Sequence, residues 1–157
     1  MISGPIELTA EDTAIQVANL LNKNNQLTHT YREVFVKENE HLFYESVFGQ
    51  IITTCTIEWP LFPKKDIAKI KHLVTDEAYR NNGLGKKILT RALDNCKESV
   101  IILCAVRESN IKSLKTFYSV GFNYTTQIKG KNETLYLLTK NAEITKEQLV
   151  LLLTKGI

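Results

Sequence analysis

Cysteine, proline, methionine and tryptophan are all scarce in this chain. Its 157 residues include three cysteines, three prolines, one methionine and one tryptophan. Cys55, Cys96 and Cys104 are odd in number and far apart, so they form neither a disulfide framework nor a metal-ligand spacing, and no metal site is expected. Buried, reduced thiols are the expectation, and with them a cytoplasmic protein. Met1 to Glu11 lacks a basic flank followed by an apolar stretch, so no secretory leader is expected. Long apolar runs are missing too. Leu149-Val150-Leu151-Leu152-Leu153 falls far short of the ~20 residues that span a bilayer, so no membrane partner is expected. Neither charge sign dominates: 20 Lys and Arg against 17 Asp and Glu leave a net charge of +3. No basic run is interleaved with aromatics, so nucleic acid is not the expected partner, and a pI of 8.7 alone is weak support for one. Internal repeats and low-complexity segments are absent as well.

What is present reads as an ordinary globular chain, 43% apolar and 24% charged. Its length suits one domain over 1–157, with a core over about 5–139 and a helical extension over about 144–155. Pro5 to Leu8 reads as a short first strand. Thr9, followed by Glu11 and Asp12, reads as the N-cap of a helix whose apolar face is Ile15, Ala18, Leu20 and Leu21, ending at Asn22 to Asn25. Leu27 to Lys37 reads as a short second helix. His41 to Ser46 and Ile51 to Glu58 read as antiparallel strands around Phe48-Gly49-Gln50. Trp59 to Pro63 holds two prolines and reads as a loop.

The central stretch alternates strand and helix. Residues 67–75 and 99–106 are buried strands by their branched apolar content, and 83–97 and 110–119 are helices. Such a unit places its two strands side by side and parallel. Phe122 to Ile128 and Thr134 to Thr139 form a hairpin around Lys129 to Asn132. Thr145-Lys146-Glu147-Gln148 is a capping box that opens a last helix. Its apolar residues run almost all round, so it either fills a groove on its own domain or meets a second copy of the chain.

The run Tyr79-Arg80-Asn81-Asn82-Gly83-Leu84-Gly85-Lys86-Lys87 joins the first of these strands to its helix. Two glycines there remove Cβ atoms where a ligand can touch backbone. The first amides of a helix lack internal partners and carry the positive end of the helix dipole, so the turn suits an anion, most naturally a phosphate. A P-loop needs Gly-x-x-x-x-Gly-Lys-Ser/Thr. Here Arg80 stands five before Gly85, and Lys87 follows Lys86. A dinucleotide fingerprint needs a third glycine where Ile88 stands.

What remains, Arg-x-x-Gly-x-Gly after a strand, resembles the pyrophosphate loop of the GNAT superfamily of N-acetyltransferases. A second stretch supports the likeness: the strand Ser99 to Val106, then Asn110, a helix, and Gly121-Phe122. The resemblance covers roughly residues 5 to 139, and is strongest from 67 to 122. It implies an α/β fold: a central mixed, mostly antiparallel sheet with one splayed parallel strand pair, flanked by helices. It further implies acetyl-coenzyme A as acyl donor, coenzyme A as product and a primary amine as acceptor, on a small molecule (a small amine, an amino acid or an antibiotic) or on a peptide or protein N-terminus.

By that resemblance, the pantetheine arm lies along Leu73, Val74 and Thr75, with the Leu73 amide facing the thioester carbonyl. The pyrophosphate rests on the Arg80-Asn81-Asn82-Gly83-Leu84-Gly85-Lys86 turn, and Asn110 bonds the cofactor. Plainer roles stand beside these: Asn110 as a helix cap, Arg80 as a loop charge, Lys86 and Lys87 as an exposed helix face. The slot that holds a general-base Glu in many members is Lys69, with Glu58, Glu77 and His72 as substitutes. The slot of the acid Tyr is Phe117, which leaves Tyr118 as the acid candidate. These two departures leave two readings. One is an acetyltransferase that relies on positioning, with an amine attacking directly in a ternary complex. The other is a module that binds acyl-coenzyme A without turning it over.

Overall fold

The computed structural model describes residues 8–24, 31–61, 64–97, 100–131, 133–141 and 145–154. Among the described residues six strands form one mixed sheet in the order β1-β2-β3-β4-β6-β5. They are β1 Glu40–Val47, β2 Gln50–Glu58, β3 Ile67–Thr75, β4 Ile101–Arg107, β5 Asn123–Lys129 and β6 Thr134–Lys140. Only β3 and β4 pair in parallel, and the other four pairings are antiparallel. This is the mixed α/β sheet that the resemblance implied.

Helix α1, Ala10–Asn24, starts where the sequence predicts. The Thr9 hydroxyl accepts from the Asp12 amide at 3.0 Å, and Glu11 and Asp12 sit in the first turn. Its buried stripe is Ala14, Val17, Ala18 and Leu21, with Leu20 beside it. Ile15 was expected on that face and is 37% exposed, because helical spacing places the 14-17-18-21 stripe about one residue's turn away from it.

The second helix expected over Leu27 to Lys37 is not found. Residues 31–37 carry no helix, and 27–30 lie outside the described residues. The backbone of this segment bonds to α1 instead. Tyr31 exchanges two hydrogen bonds with the Asn22 side chain (2.8 and 2.6 Å), and the Val34 amide donates to the Ala14 carbonyl at 3.0 Å. Of the strand expected over Pro5 to Leu8, residues 5–7 lie outside the described residues, and Leu8 belongs to no strand. Phe62, Pro63, Ser99 and Asn132, which carried parts of other expected elements, also lie outside them.

β1 and β2 meet at the two-residue turn Phe48-Gly49, both residues with positive φ (50° and 79°), which matches the strands' right-handed twist. After β3 comes a short 3-10 turn, Glu77–Tyr79, then α2, Leu84–Asp94. α2 stops earlier than the expected residue 97. α3, Ile111–Ser119, follows β4.

Both sheet faces are covered. Ala68 and Ile70 of β3 and Ile102, Cys104 and Val106 of β4 join Ile88, Leu89 and Ala92 of α2 and Leu114 and Phe117 of α3 in one cluster. Ile88, Leu89 and Ala92 have no exposed surface, and burial of a Leu or Ile contributes about 1.5–3 kcal/mol each. On the opposite face Ile67, Leu103 and Leu137 pack against Leu149 and Leu153 of α4, Lys146–Thr154. The capping box at its start forms as expected, Thr145 and Gln148 exchanging two 3.2 Å hydrogen bonds. Val150 and Leu152 pack partly on the same cluster, and Leu151 stays 63% exposed. Its own sheet thus covers most of this helix's apolar surface. No helix among the described residues is long and apolar enough to cross a membrane.

Candidate active site

The parallel pairing of β3 with β4 is short. Ile67, Ala68 and Lys69 pair with Ile101, Ile102 and Leu103, and there the ladder ends, although β3 runs on to Thr75 and β4 to Arg107. The two strands separate beyond Lys69. A bulge accompanies the separation: Thr54 pairs with Val74 and Thr56 with Lys71, so Cys55 alone stands opposite both His72 and Leu73. His72 takes the left-handed conformation, φ 56°, which is uncommon outside glycine although histidine tolerates it better than most residues. Past the bulge, Leu73, Val74 and Thr75 are each only partly buried. Their other edge is pinned to β2, where the Thr53 hydroxyl bonds the Val74 carbonyl at 3.1 Å and lies 2.9 Å from the Thr75 hydroxyl. The β4-facing edge of residues 70–75 has no strand partner among the described residues.

The turn after β3 is shaped by Asp76, a residue the sequence reading did not single out. It is 6% exposed. Its amide donates to the Ile52 carbonyl at 2.7 Å, and its carboxylate accepts from the Ala78 amide at 3.1 Å and from Lys23 at 3.5 Å. Arg80 folds back, donating from Nε to the Thr75 carbonyl at 3.2 Å. Asn81 and Gly83 both have positive φ, 68° and 73°, which turns the chain sharply into α2. Gly83 is the N-cap and supplies no side-chain cap bond. The first helical bond of the turn runs from the Lys87 amide to the Gly83 carbonyl at 3.0 Å. The amides of residues 81–86 find no acceptor among the described residues. A Cβ on Gly83 would meet nothing within 4 Å, and one on Gly85 would meet only the Thr75 hydroxyl at 3.7 Å. This open cradle of amides at a helix N-terminus fits a diphosphate. Lys86 is exposed beside it, while Lys87 and Arg91 pair with Glu45 on β1 at 3.6 and 2.9 Å.

Asn110 caps α3, its Oδ1 accepting from the Ser113 amide at 3.2 Å. Phe117, on the expected acid slot, is a core residue, 3% exposed and edge-on to Phe122 at 5.1 Å. Tyr118, the next residue of α3, is 42% exposed.

On the sheet face opposite α2, Lys69, Lys71 and His72 stand near Glu40, Glu58 and the 31–37 segment. An open cleft there is lined by Tyr31, Lys37, Glu40, Lys71 and His72, among others. Lys71 pairs with Glu40 and with Glu58, the latter at 3.4 Å. Burial drives the Glu40 pKa up, but hydrogen bonds from Lys71 and the Lys37 amide outweigh it, so the net shift is downward. His72 sits edge-on to Tyr31 at 5.9 Å, and its Nδ1 is buried without a partner. Burial, aided by Lys71, pushes its pKa down to about 4, so the ring is neutral at physiological pH. Burial and the neighbouring Lys71 likewise lower the pKa of Lys69. Burial pushes the Cys55 and Cys104 thiols well up, which makes them inert. Among the described residues no group of three or more His, Cys, Asp or Glu is arranged to hold a metal. Sequence reasoning missed the Glu40–Lys71 pair, which no local motif signals.

Comparisons with known proteins bear on the fold and the family. No curated protein sequence matches the chain. Solved structures do. The NatC complex bound to Gag peptide and CoA matches with a TM-score of 0.67 at 13% identity, over 89% of this chain and 97% of the other. Arabidopsis thaliana Naa50 in complex with the bisubstrate analogue CoA-Ac-MVNAL matches with 0.64 at 16%, over 80% and 89%. A GNAT-family acetyltransferase from Streptococcus pneumoniae matches with 0.64 at 19%, over 82% and 92%. At these identities the likeness is one of fold. The family model for the acetyltransferase (GNAT) family matches residues 13–122, more than half of the sequence, and the chain therefore belongs to that acetyltransferase family.

Proposed function

We propose that this chain is a single-domain N-acetyltransferase that moves an acetyl group from acetyl-coenzyme A to a primary amine, the amine attacking directly in a ternary complex. The observation that carries this reading is the end of the β3–β4 ladder at Lys69 and Leu103, next to the amide-lined turn 81–86. The gap between the strands suits an extended arm, and the turn suits the diphosphate at its end. Structural neighbours with CoA or a CoA conjugate support the choice of donor.

When bound, the donor supplies an acetyl group activated as a thioester. The amides of Asn81, Asn82, Gly83, Leu84, Gly85 and Lys86 hold the diphosphate, and Arg80 braces the turn through Thr75. The unpaired edge of Leu73, Val74 and Thr75 orients the arm. The Leu73 amide donates to the carbonyl oxygen, where negative charge develops. Asn110 keeps its cap and turns its remaining amide hydrogens toward the donor.

His72 is the proton acceptor for the amine. It lines the cleft and directly precedes Leu73, which puts it beside the amide that meets the thioester carbonyl. Glu58 is less suited, being engaged by Lys71 and by Asn39, and Glu77 lies in the exposed turn after β3. Tyr118 supplies the hydroxyl proton to the departing sulfur.

The core placement of Phe117 and the lysine at position 69 favour a second reading, a domain that binds acyl-coenzyme A without turnover. One experiment separates the two. Calorimetry at near-physiological salt measures coenzyme A binding, and an amine library with acetyl-coenzyme A is then followed for thiol release. Binding with thiol release supports the enzyme, and binding with none from any amine supports the second reading. Absence of binding removes both.

A further inference from the structure

Helix α1 uses two amide side chains to hold backbone outside itself. Gln16 holds the β1–β2 turn: its Nε2 donates to the Gly49 carbonyl at 2.9 Å, and its Oε1 accepts from the Ile51 amide at 2.6 Å. Asn22 holds the 31–37 segment in the same way. Its Nδ2 donates to the Tyr31 carbonyl at 2.6 Å, and its Oδ1 accepts from the Tyr31 amide at 2.8 Å. Both backbone groups of one residue thus meet one side chain, as they would meet a neighbouring strand. Asparagine is a poor helix former beside alanine, so its place in the last turn of α1 costs some helix stability.

The segment that Asn22 holds forms a wall of the cleft. Tyr31, Val34, Phe35, Val36 and Lys37 all line it, whereas Asn22 does not. Residues 31–37 contain neither helix nor strand, so no ladder of their own sets their position. Tyr31 and Val34 pack on the α1 cluster of Val17, Leu20 and Leu21. Apolar contact is non-directional, and presses the segment onto α1 without fixing where along the helix it lies. Hydrogen bonds are directional and fix it, and Asn22 makes two of them at Tyr31. The Tyr31 ring in turn stands edge-on to His72 at 5.9 Å, within the range of an aromatic contact. A displaced Tyr31 therefore disturbs both the apolar wall and the proposed proton acceptor.

We propose that Asn22 is a positioning residue for the amine: by clamping Tyr31 it fixes the wall against which the acceptor lies and the ring that bears on His72. The inference rests on the amine-acetylation reading above, and concerns how its acceptor side is held. The donor side is built on other elements, since the 73–75 edge is pinned to β2 and the 81–86 turn opens α2.

The test compares Asn22→Ala with Gln16→Ala. Each removes two bonds of the same kind from α1, and alanine favours the helix, so both variants are expected to fold. Steady-state constants are measured with acetyl-coenzyme A and with leucinamide, an apolar primary amine suited to the wall of Phe35 and Val36, or with the library amine that releases thiol faster. Asn22→Ala raises the amine KM roughly tenfold, the scale of one or two lost hydrogen bonds. It leaves the acetyl-coenzyme A KM and the calorimetric affinity for coenzyme A within about twofold, as a clamp on the acceptor side alone requires. Gln16→Ala leaves the amine KM within about twofold. Asn22→Asp keeps the acceptor and loses the donor, moves the amine KM in the same direction, and carries the comparison should Asn22→Ala not fold. An unchanged amine KM in the Asn22 variants, an equal rise in Gln16→Ala, or an equal rise in the acetyl-coenzyme A KM overturns the inference and leaves acetyl transfer standing.

A second readout needs no turnover. The ring current of Tyr31 shifts the ring-proton resonances of His72, which His72→Gln assigns, and Tyr31→Leu marks their position without it. Asn22→Ala moves these resonances toward the Tyr31→Leu position, and Gln16→Ala does not. Resonances that stay in place in Asn22→Ala overturn the inference. Failure of every amine to release thiol, with the His72 shift intact, overturns the transfer reading and leaves the clamp on Tyr31 standing.

Discussion

Lys69 pairs with Leu103, and beyond that pair β3 and β4 share no further ladder contact. The bulge opposite Cys55 lies three residues further along β3 and turns His72 and Leu73 away from the regular pleat. Four predictions follow from the gap and its surroundings.

The two glycines of the turn answer differently to alanine. Gly83 has φ 73°, so Gly83→Ala strains the backbone and costs about 1 kcal/mol of stability, read as a lowered urea midpoint. Gly85 is helical, and its added methyl meets only the Thr75 hydroxyl at 3.7 Å. Gly85→Ala therefore leaves the midpoint unchanged or slightly raised. Its methyl enters the cradle, so coenzyme A affinity by calorimetry falls roughly tenfold.

His72 links folding to pH. Its folded pKa, about 4, lies below the ordinary 6.5, so between these values the unfolded chain binds more protons than the folded one. Stability therefore rises with pH through that window and is lost on acidification, by up to roughly 3 kcal/mol. His72→Gln flattens this part of the stability–pH curve measured by denaturant unfolding. If the wild-type and variant curves stay parallel from pH 4 to 6.5, the ring is not neutral by burial. As the proposed proton acceptor, His72 also predicts a loss of about a hundredfold in kcat on the same substitution.

Neighbouring aromatics on α3 separate chemistry from packing. Tyr118→Phe removes only a hydroxyl from a 42% exposed ring, so unfolding is unaffected while kcat falls, about tenfold or more. Phe117→Ala empties a core position at 3% exposure and lowers stability by about 3–5 kcal/mol. An unchanged kcat in Tyr118→Phe leaves the departing sulfur to take its proton from water.

Glu40 has the opposite character to a surface acid. It is 7% exposed and paired with Lys71, so Glu40→Gln leaves Lys71 dependent on Glu58 and costs about 3 kcal/mol. Thermal unfolding reads this directly. A loss below 0.5 kcal/mol, the scale of a surface pair, shows that the pair is solvated.

The readability of the sequence varied along the chain for physical reasons. β3 was legible to the residue, because its apolar run is bounded by Asp66 and Asp76 and leads into a glycine turn. Caps were equally legible: Thr9, Asn110 and Thr145 each hold the amide that their spacing indicates. The 31–37 segment was not, because its backbone partners lie on α1 and nothing local reveals them. The bulge at His72 was not legible, since nothing in the apolar run of β3 marks where its register slips. The charge group at Glu40, Glu58, Lys69 and Lys71 joins β1, β2 and β3 across the sheet, a relation set by register and not by spacing.

Leu103, the last partner of Lys69, has no exposed surface and is clamped from the other side by Leu149 and Leu153 of α4. The C-terminal helix thereby fixes the hinge point of the wedge from a distance. If the donor enters this gap as proposed, part of the opening is already ordered, and less of its affinity goes into ordering the protein. Shortening the chain before residue 146 would act first on that readiness, and through it on a pocket that the helix never touches.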